Sequence, residues 1–165
     1  MERITHPFPP LYNEDSRVLV LGSFPSVKSR EAQFFYHHPQ NRFWKVISMI
    51  FEEPIPTTIV EKRSLLLRNE IAVWDVIQSC EIIGSSDSSI RNVIANDLSP
   101  ILEKANIGQI ICNGNTSYQL YTKYIYPVTK IEALKFPSTS PVNASFSLDR
   151  LVQEWSVLRT LLSQF

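Results

Sequence analysis

The chain predicts an α/β fold, a three-layer α/β/α sandwich with a central, mainly parallel four-stranded sheet. Two observations carry this expectation. Short leucine-rich and β-branched runs alternate with amphipathic segments along the chain, and the unusual polar and aromatic residues gather just after those runs, where such sheets bind ligands.

Residues 17–23 form the first run and end at Gly22, which reads as a buried parallel strand followed by a loop. Phe43, Val46, Ile47 and Ile50 recur at helical spacing, so the first helix starts near Asn41. Thr57 and Thr58 can cap a second helix reaching Arg68, and residues 71–76 form the second strand. A polar loop at 84–89 is expected to cap a short helix over 90–94, and Asp97 to cap the next helix, with Leu98, Ile101 and Leu102 on its buried face. Residues 107–112 read as the third strand, ending in Asn113-Gly114-Asn115. Residues 116–124 are helical by pattern, 131–135 form a fourth short strand, and 146–162 a closing amphipathic helix.

With 165 residues, 44% of them hydrophobic, the chain suits a single domain, residues 1–165, with a real core. Sixteen basic side chains balance sixteen acidic ones, so no global field draws the protein to nucleic acid or anionic membrane. Any such grip must be local, and Lys28, Arg30, Arg42 and Lys45 make one candidate patch. Cys80 and Cys112 lack the C-x-x-C spacing of an iron–sulfur or structural zinc site and are too few for a disulfide framework. No signal-peptide core or membrane span is evident, so a cytoplasmic protein is expected, with no membrane association.

The densest chemistry lies at residues 34–44, Phe-Phe-Tyr-His-His-Pro-Gln-Asn-Arg-Phe-Trp, where aromatic faces suit a planar ligand and polar tips suit its edges or a water. If the topology holds, four loops share one rim: 23–41, 75–89, 113–117 and 137–147. They contain no phosphate-binding P-loop, no Gly-x-Gly-x-x-Gly turn and no nucleophile elbow, which weakens nucleoside-triphosphatase, dehydrogenase and α/β-hydrolase readings.

Gly22-Ser-Phe-Pro-Ser26, His38-Pro-Gln-Asn-Arg-Phe-Trp44 and Pro137-Ser-Thr-Ser-Pro-Val-Asn143 resemble the first and last motifs of the uracil-DNA glycosylase superfamily. Within it the chain is most similar to the hypoxanthine (deoxyinosine) DNA glycosylases, with the mismatch-specific uracil/thymine glycosylases as near relatives. Trp74-Asp75-Val76, Gly84-Ser-Ser-Asp87 and Asn113-Gly114 match in order. One departure bears on mechanism: Phe24 stands where relatives carry a water-positioning Asn or Asp, and the resemblance passes that role to Asn41.

The resemblance implies a monofunctional DNA glycosylase acting on DNA that contains a deaminated base, without metal or redox cofactor and without an obligate protein partner. Such hydrolysis builds positive charge on the sugar and negative charge on the departing base, and needs one oriented water. Asn41 could hold that water through its carbonyl oxygen or simply cap the first helix. Tyr36 is implied as the face that stacks on the flipped base, with Ser23 and Phe24 beside it. Asn113 is either an edge reader of the base or a turn residue. Ser26, Ser138, Thr139 and Ser140 are implied phosphate contacts, and Val142 with Asn143 the wedge that enters the stack. His38 is read as structural, His37 as the imidazole facing the ligand, and the 84–87 segment as a helix cap. The rival readings are a uracil or thymine mismatch glycosylase of the same fold and a noncatalytic DNA- or nucleotide-binding module.

Overall fold

A computed structural model describes residues 2–165. Its centre is strand β2 (Val18–Gly22), every residue of which is buried because neighbours flank both its edges and both its faces. It pairs in parallel with β3 (Ile71–Asp75) on one side and β6 (Gln109–Asn113) on the other, and β6 pairs in parallel with β7 (Ala133–Phe136). The order β3-β2-β6-β7 is the expected four-stranded sheet, with every pairing parallel.

Strand periodicity divides the apolar residues between two cores. Val18, Val20, Ile71, Val73 and Ile111 face one side with helices α2 (Phe43–Ile50), α3 (Ile59–Arg68), α7 (Leu148–Trp155) and α8 (Val157–Leu162). Leu19, Leu21, Ala72, Ile110 and Cys112 face the other with Ile101 of α4 (Ser99–Lys104) and Tyr121. Helix α5 (Asn115–Leu120) continues through a five-residue π-helical turn, Tyr121–Ile125, into α6 (Tyr126–Thr129).

Local signals explain several boundaries. Thr58 and Glu61 form a reciprocal capping box at the start of α3. Asp97 accepts from the Ser99 amide at 2.9 Å in the first turn of α4. The expected single helix over 146–162 is divided at Ser156, whose hydroxyl bonds back to the Val152 carbonyl, a contact that bends helices.

The sequence reading needs correction at a second sheet. Strands β1 (Arg3–Thr5), β4 (Ile77–Glu81) and β5 (Arg91–Ala95) pair antiparallel in the order β1-β4-β5. Residues 90–94, expected as a short helix, therefore lie largely in a strand. Their β-branched Val93 and Ile94 suit an extended chain, and β4, separated from β3 by Val76 alone, offers the hydrogen-bonding edge. A short helix α1 (Val27–Ala32) also stands within the expected 23–41 loop, capped by Ser26.

Candidate functional site

The carboxyl ends of β2, β3 and β6 open into a cavity of about 1220 Å³. All four expected rim loops contribute to its wall, including Ser23, Phe24, Tyr36, Asn41, Asn113 and the loop from Pro137 to Asn143. Long-range register brings them together: Gly22 is level with Asp75 across the sheet, and Asn113 with Phe136.

Asn41 sits just before α2, where its Oδ1 accepts from the Phe43 amide at 2.9 Å and thus caps the helix. The same oxygen accepts from the Thr139 hydroxyl at 2.9 Å. Both lone pairs of the carbonyl expected to hold water are therefore occupied. The Nδ2 group makes no hydrogen bond among the described residues and is not among the buried unpartnered atoms, in a residue that lines the cavity.

Thr139, expected against DNA, is instead fully buried. Its hydroxyl links Asn41 to Asn113, accepting from Asn113 Nδ2 at 3.0 Å, while its amide donates to Asn113 Oδ1 at 3.0 Å. Asn113 thus spends part of its carboxamide on the 137–140 loop, and its side chain also stands beside the Tyr36 hydroxyl. Gly114, at φ +98°, lets this loop approach, since a side chain there would stand 3.0 Å from Ser138 Cβ.

Arg42 does not join a free basic patch. Its guanidinium donates to the carbonyls of Ser140 and Asn143 at 2.9 and 3.0 Å and to that of Phe146, and its amide donates to Thr139 O at 3.1 Å. Arg30 is similarly engaged, with the carbonyls of Pro25 and Gly84, over the Phe24 ring. Lys28 lies 3.8 Å from Glu31, while Lys45 is exposed.

In the clamped loop, Ser138 Oγ accepts from the Ser140 amide and Ser140 Oγ from the Val142 amide, leaving each O–H free to donate outward. Asn143 turns back, its Nδ2 donating to Ser138 O at 3.0 Å. Val142 alone of the expected wedge pair points out, 90% exposed. Ser26 is committed to capping α1 through the Ser29 amide.

Tyr36 has φ +51°, and its ring stacks on Phe43 with centroids 4.2 Å apart. One face is thereby covered. Its hydroxyl is buried without a hydrogen-bond partner at the cavity floor, 3.2 Å from where a Cβ on Gly22 would lie. Burial, and then the charge of Asp75, push the phenol well above its ordinary range, so it stays protonated; the neighbouring Asn113 side chain acts in the opposite sense. The histidine assignments exchange places: His38 lines the cavity, with Nδ1 accepting from the Gln40 amide, whereas His37 does not. Burial and then Lys62 lower the His37 pKa.

Three acidic or imidazole groups escaped the sequence reading. Asp87 stands at the cavity mouth, and its carboxylate accepts from Ser23 Oγ at 3.1 Å. Although the residue is exposed at its surface, the protein around its carboxylate desolvates that group and raises its pKa, the Ser23 hydrogen bond acting in the opposite sense. Asp75 lines the cavity while paired with His6, whose Nε2 lies 2.7 Å from Oδ2. The sequence signals were present in the matched Trp74-Asp75-Val76 and Gly84-Ser-Ser-Asp87 strings, but His6 lies far away in sequence.

Comparison with known proteins agrees with this geometry. The family model of the uracil DNA glycosylase superfamily matches residues 9–161. A curated hypoxanthine DNA glycosylase of Methanosarcina acetivorans is 32% identical over 155 residues, covering 92% of this chain and 95% of the relative. A second, from Methanosarcina barkeri, is 32% identical over 112 residues, covering 67% and 71% respectively. A solution NMR structure of a candidate uracil DNA glycosylase from Methanosarcina acetivorans superposes with a TM-score of 0.80 at 30% identity, covering 94% of this chain and 96% of the other. The shared sheet, the cavity at its carboxyl edge and near full-length similarity have one explanation: the chain belongs to the uracil DNA glycosylase superfamily.

Proposed function

We propose that the chain is one glycosylase domain that removes hypoxanthine from DNA by hydrolysis, leaving an abasic site. The observation that carries this is the 32% identity to a hypoxanthine DNA glycosylase across 92% of the chain. The cavity supplies the chemistry. The extruded base enters between Phe24 and Tyr36 with Ser23 at its edge, and the Asn41 Nδ2 group donates to the oxygen of a water beside the sugar. The water's remaining lone pair attacks C1′, the C1′–N9 bond breaks with its electrons passing to the base, and the proton released by the water balances the departing hypoxanthine. Ser138 and Ser140 donate to backbone phosphates, and Val142 fills the space the base vacates.

Uracil is the second reading, because a solved neighbour is described as a candidate uracil DNA glycosylase. Phe24 argues against it, since it removes the carboxamide or carboxylate that uracil- and thymine-directed relatives carry in the first motif. The test is a panel of matched duplexes carrying hypoxanthine, uracil, xanthine or mismatched thymine, treated with alkali after incubation. Preferred strand cleavage at hypoxanthine is expected. Preferred cleavage at uracil transfers the assignment to the second reading, and no cleavage at any base supports a binding module.

A further inference from the structure

Hydrolysis at C1′ calls for an anion to face the positive charge that grows on the sugar and for an acceptor of the proton that the attacking water gives up. Asn41 supplies neither, because its Oδ1 already accepts from the Phe43 amide and the Thr139 hydroxyl. Tyr36 keeps its proton. Three carboxylates line the cavity. Asp75 is spent on His6 at 2.7 Å, and Glu154 stands exposed on α7. Asp87 differs from both. Its Oδ1 and Oδ2 lie 3.1 and 3.2 Å from Ser23 Oγ, in the residue that directly follows β2, and no ion pair compensates it among the described residues. It opens a short 3₁₀ turn, Asp87–Ser89. The loop before this turn is pinned to α1, with the Val27 amide on Ser85 Oγ at 2.9 Å and Arg30 on Gly84 O at 3.1 Å. The carboxylate is therefore both uncompensated and held in place.

We propose that Asp87 is the anionic catalytic residue of the reaction, its carboxylate facing the deoxyribose of the extruded nucleotide and carrying the proton of the attacking water to the departing base. This rests on the hypoxanthine reading above. A base seated on the cavity floor leaves its sugar at the mouth, the level at which Asp87 stands. As the water's lone pair forms the O–C1′ bond, the C1′–N9 electron pair passes to the base and the water's proton moves to a carboxylate oxygen of Asp87. The carboxyl then gives that proton to the base. Neutral hypoxanthine and an abasic sugar result, and the carboxylate is restored. The surroundings suit a group that takes and returns a proton: burial raises its basicity most, the Ser23 hydrogen bond opposes this, the charge of Asp75 adds to it, and the Thr116 hydroxyl opposes it least. Cys80, itself buried, also senses the Asp87 charge, and Arg30 is turned to the carbonyls of Pro25 and Gly84. The same charge has a cost, since it repels DNA phosphates at the mouth and is poorly solvated in the fold. A charge that weakens both binding and stability is explained by the one step in which the substrate turns positive.

The assignment is tested by single-turnover release of hypoxanthine from a duplex, across pH, by wild type, Asp87→Asn and Thr116→Val. Affinity for a duplex carrying a tetrahydrofuran abasic analogue measures DNA grip. Asp87→Asn keeps the size of the side chain and an acceptor for Ser23. Its rate should fall by about 10²-fold or more. Its affinity for the abasic analogue should equal or exceed that of wild type, because a negative charge has left the DNA-facing mouth. Wild-type release should slow on acidification through a titration displaced upward from the ordinary carboxylate range, and Asp87→Asn should lack that limb. Thr116→Val, which removes a hydrogen bond to the charged form, should move the limb to higher pH. A rate in Asp87→Asn within about three-fold of wild type overturns the assignment. So does a loss of abasic-analogue affinity that matches the loss of rate, which marks a structural role. If Asp87→Asn does not fold, Thr116→Val decides, and a limb at the wild-type position overturns the assignment equally. Wild-type protein that releases no hypoxanthine overturns the functional reading itself, a result seen before any variant is made.

Discussion

Asn41 caps α2 and is also the group proposed to hold water, and its two ends divide these roles. The carbonyl faces Phe43 and Thr139, and the amine is left for the cavity. That the residue stands beside the cavity was legible in the sequence because His-Pro-Gln-Asn-Arg-Phe-Trp is so distinctive, but which of its atoms is left unbonded was not. That depended on Thr139, 98 positions away, whose burial no local pattern could announce. Asp87 shows the same limit, since its contact with Ser23 spans 64 positions. Its raised pKa has a measurable sign. A carboxyl whose folded pKa is raised contributes stability that is fully present below the unfolded value and is lost as pH rises through the folded value. Asp87→Asn, which keeps an acceptor for Ser23, should therefore melt at a higher temperature than wild type near pH 7. The advantage should vanish on acidification into the ordinary carboxylate range; a variant that is less stable at pH 7 contradicts the desolvation argument.

At the scale of elements, the start of α2 and the loop after β7 form one unit. Arg42 ties the carbonyls of Ser140, Asn143 and Phe146 to the residue that follows Asn41, so the proposed wedge and the proposed water holder share a brace. Clamped at its base, the loop can present Val142 to solvent without collapsing. Val142→Ala should leave the unfolding free energy within about 0.5 kcal/mol of wild type, because so exposed a side chain contributes little. Excision from duplex DNA should nonetheless slow by about 10-fold, with single-stranded substrate almost unaffected, since only the duplex requires a filled stack. Equal losses on both substrates would remove the wedge role. The parallel strands and long helices were readable because each carries its own period. The β1-β4-β5 sheet was not, since its three- and five-residue strands have meaning only when paired.

Across the whole molecule, two cores on opposite faces of one sheet hold the rim loops in register. Trp155 shows how the packing reaches the site: it is fully buried, its ring meets Phe43 and Phe136 edge-on at 6.0 and 5.0 Å, and its Nε1 donates to Pro137 O at 2.8 Å. Trp155→Ala should cost about 3–5 kcal/mol in denaturant unfolding, and excision should fall in protein that remains folded because the 137–146 loop loses an anchor. The balanced charge of the chain fits a protein that grips a few phosphates through hydroxyls and leaves base choice to the cavity. The most direct test of the account is the single-turnover rate of hypoxanthine release from a duplex by wild type and by Asn41→Ala. The predicted result is rapid release by wild type and a loss of about 10²- to 10³-fold in the variant, with affinity for an abasic analogue retained. Release by Asn41→Ala within about three-fold of wild type, or no release by wild type, contradicts it.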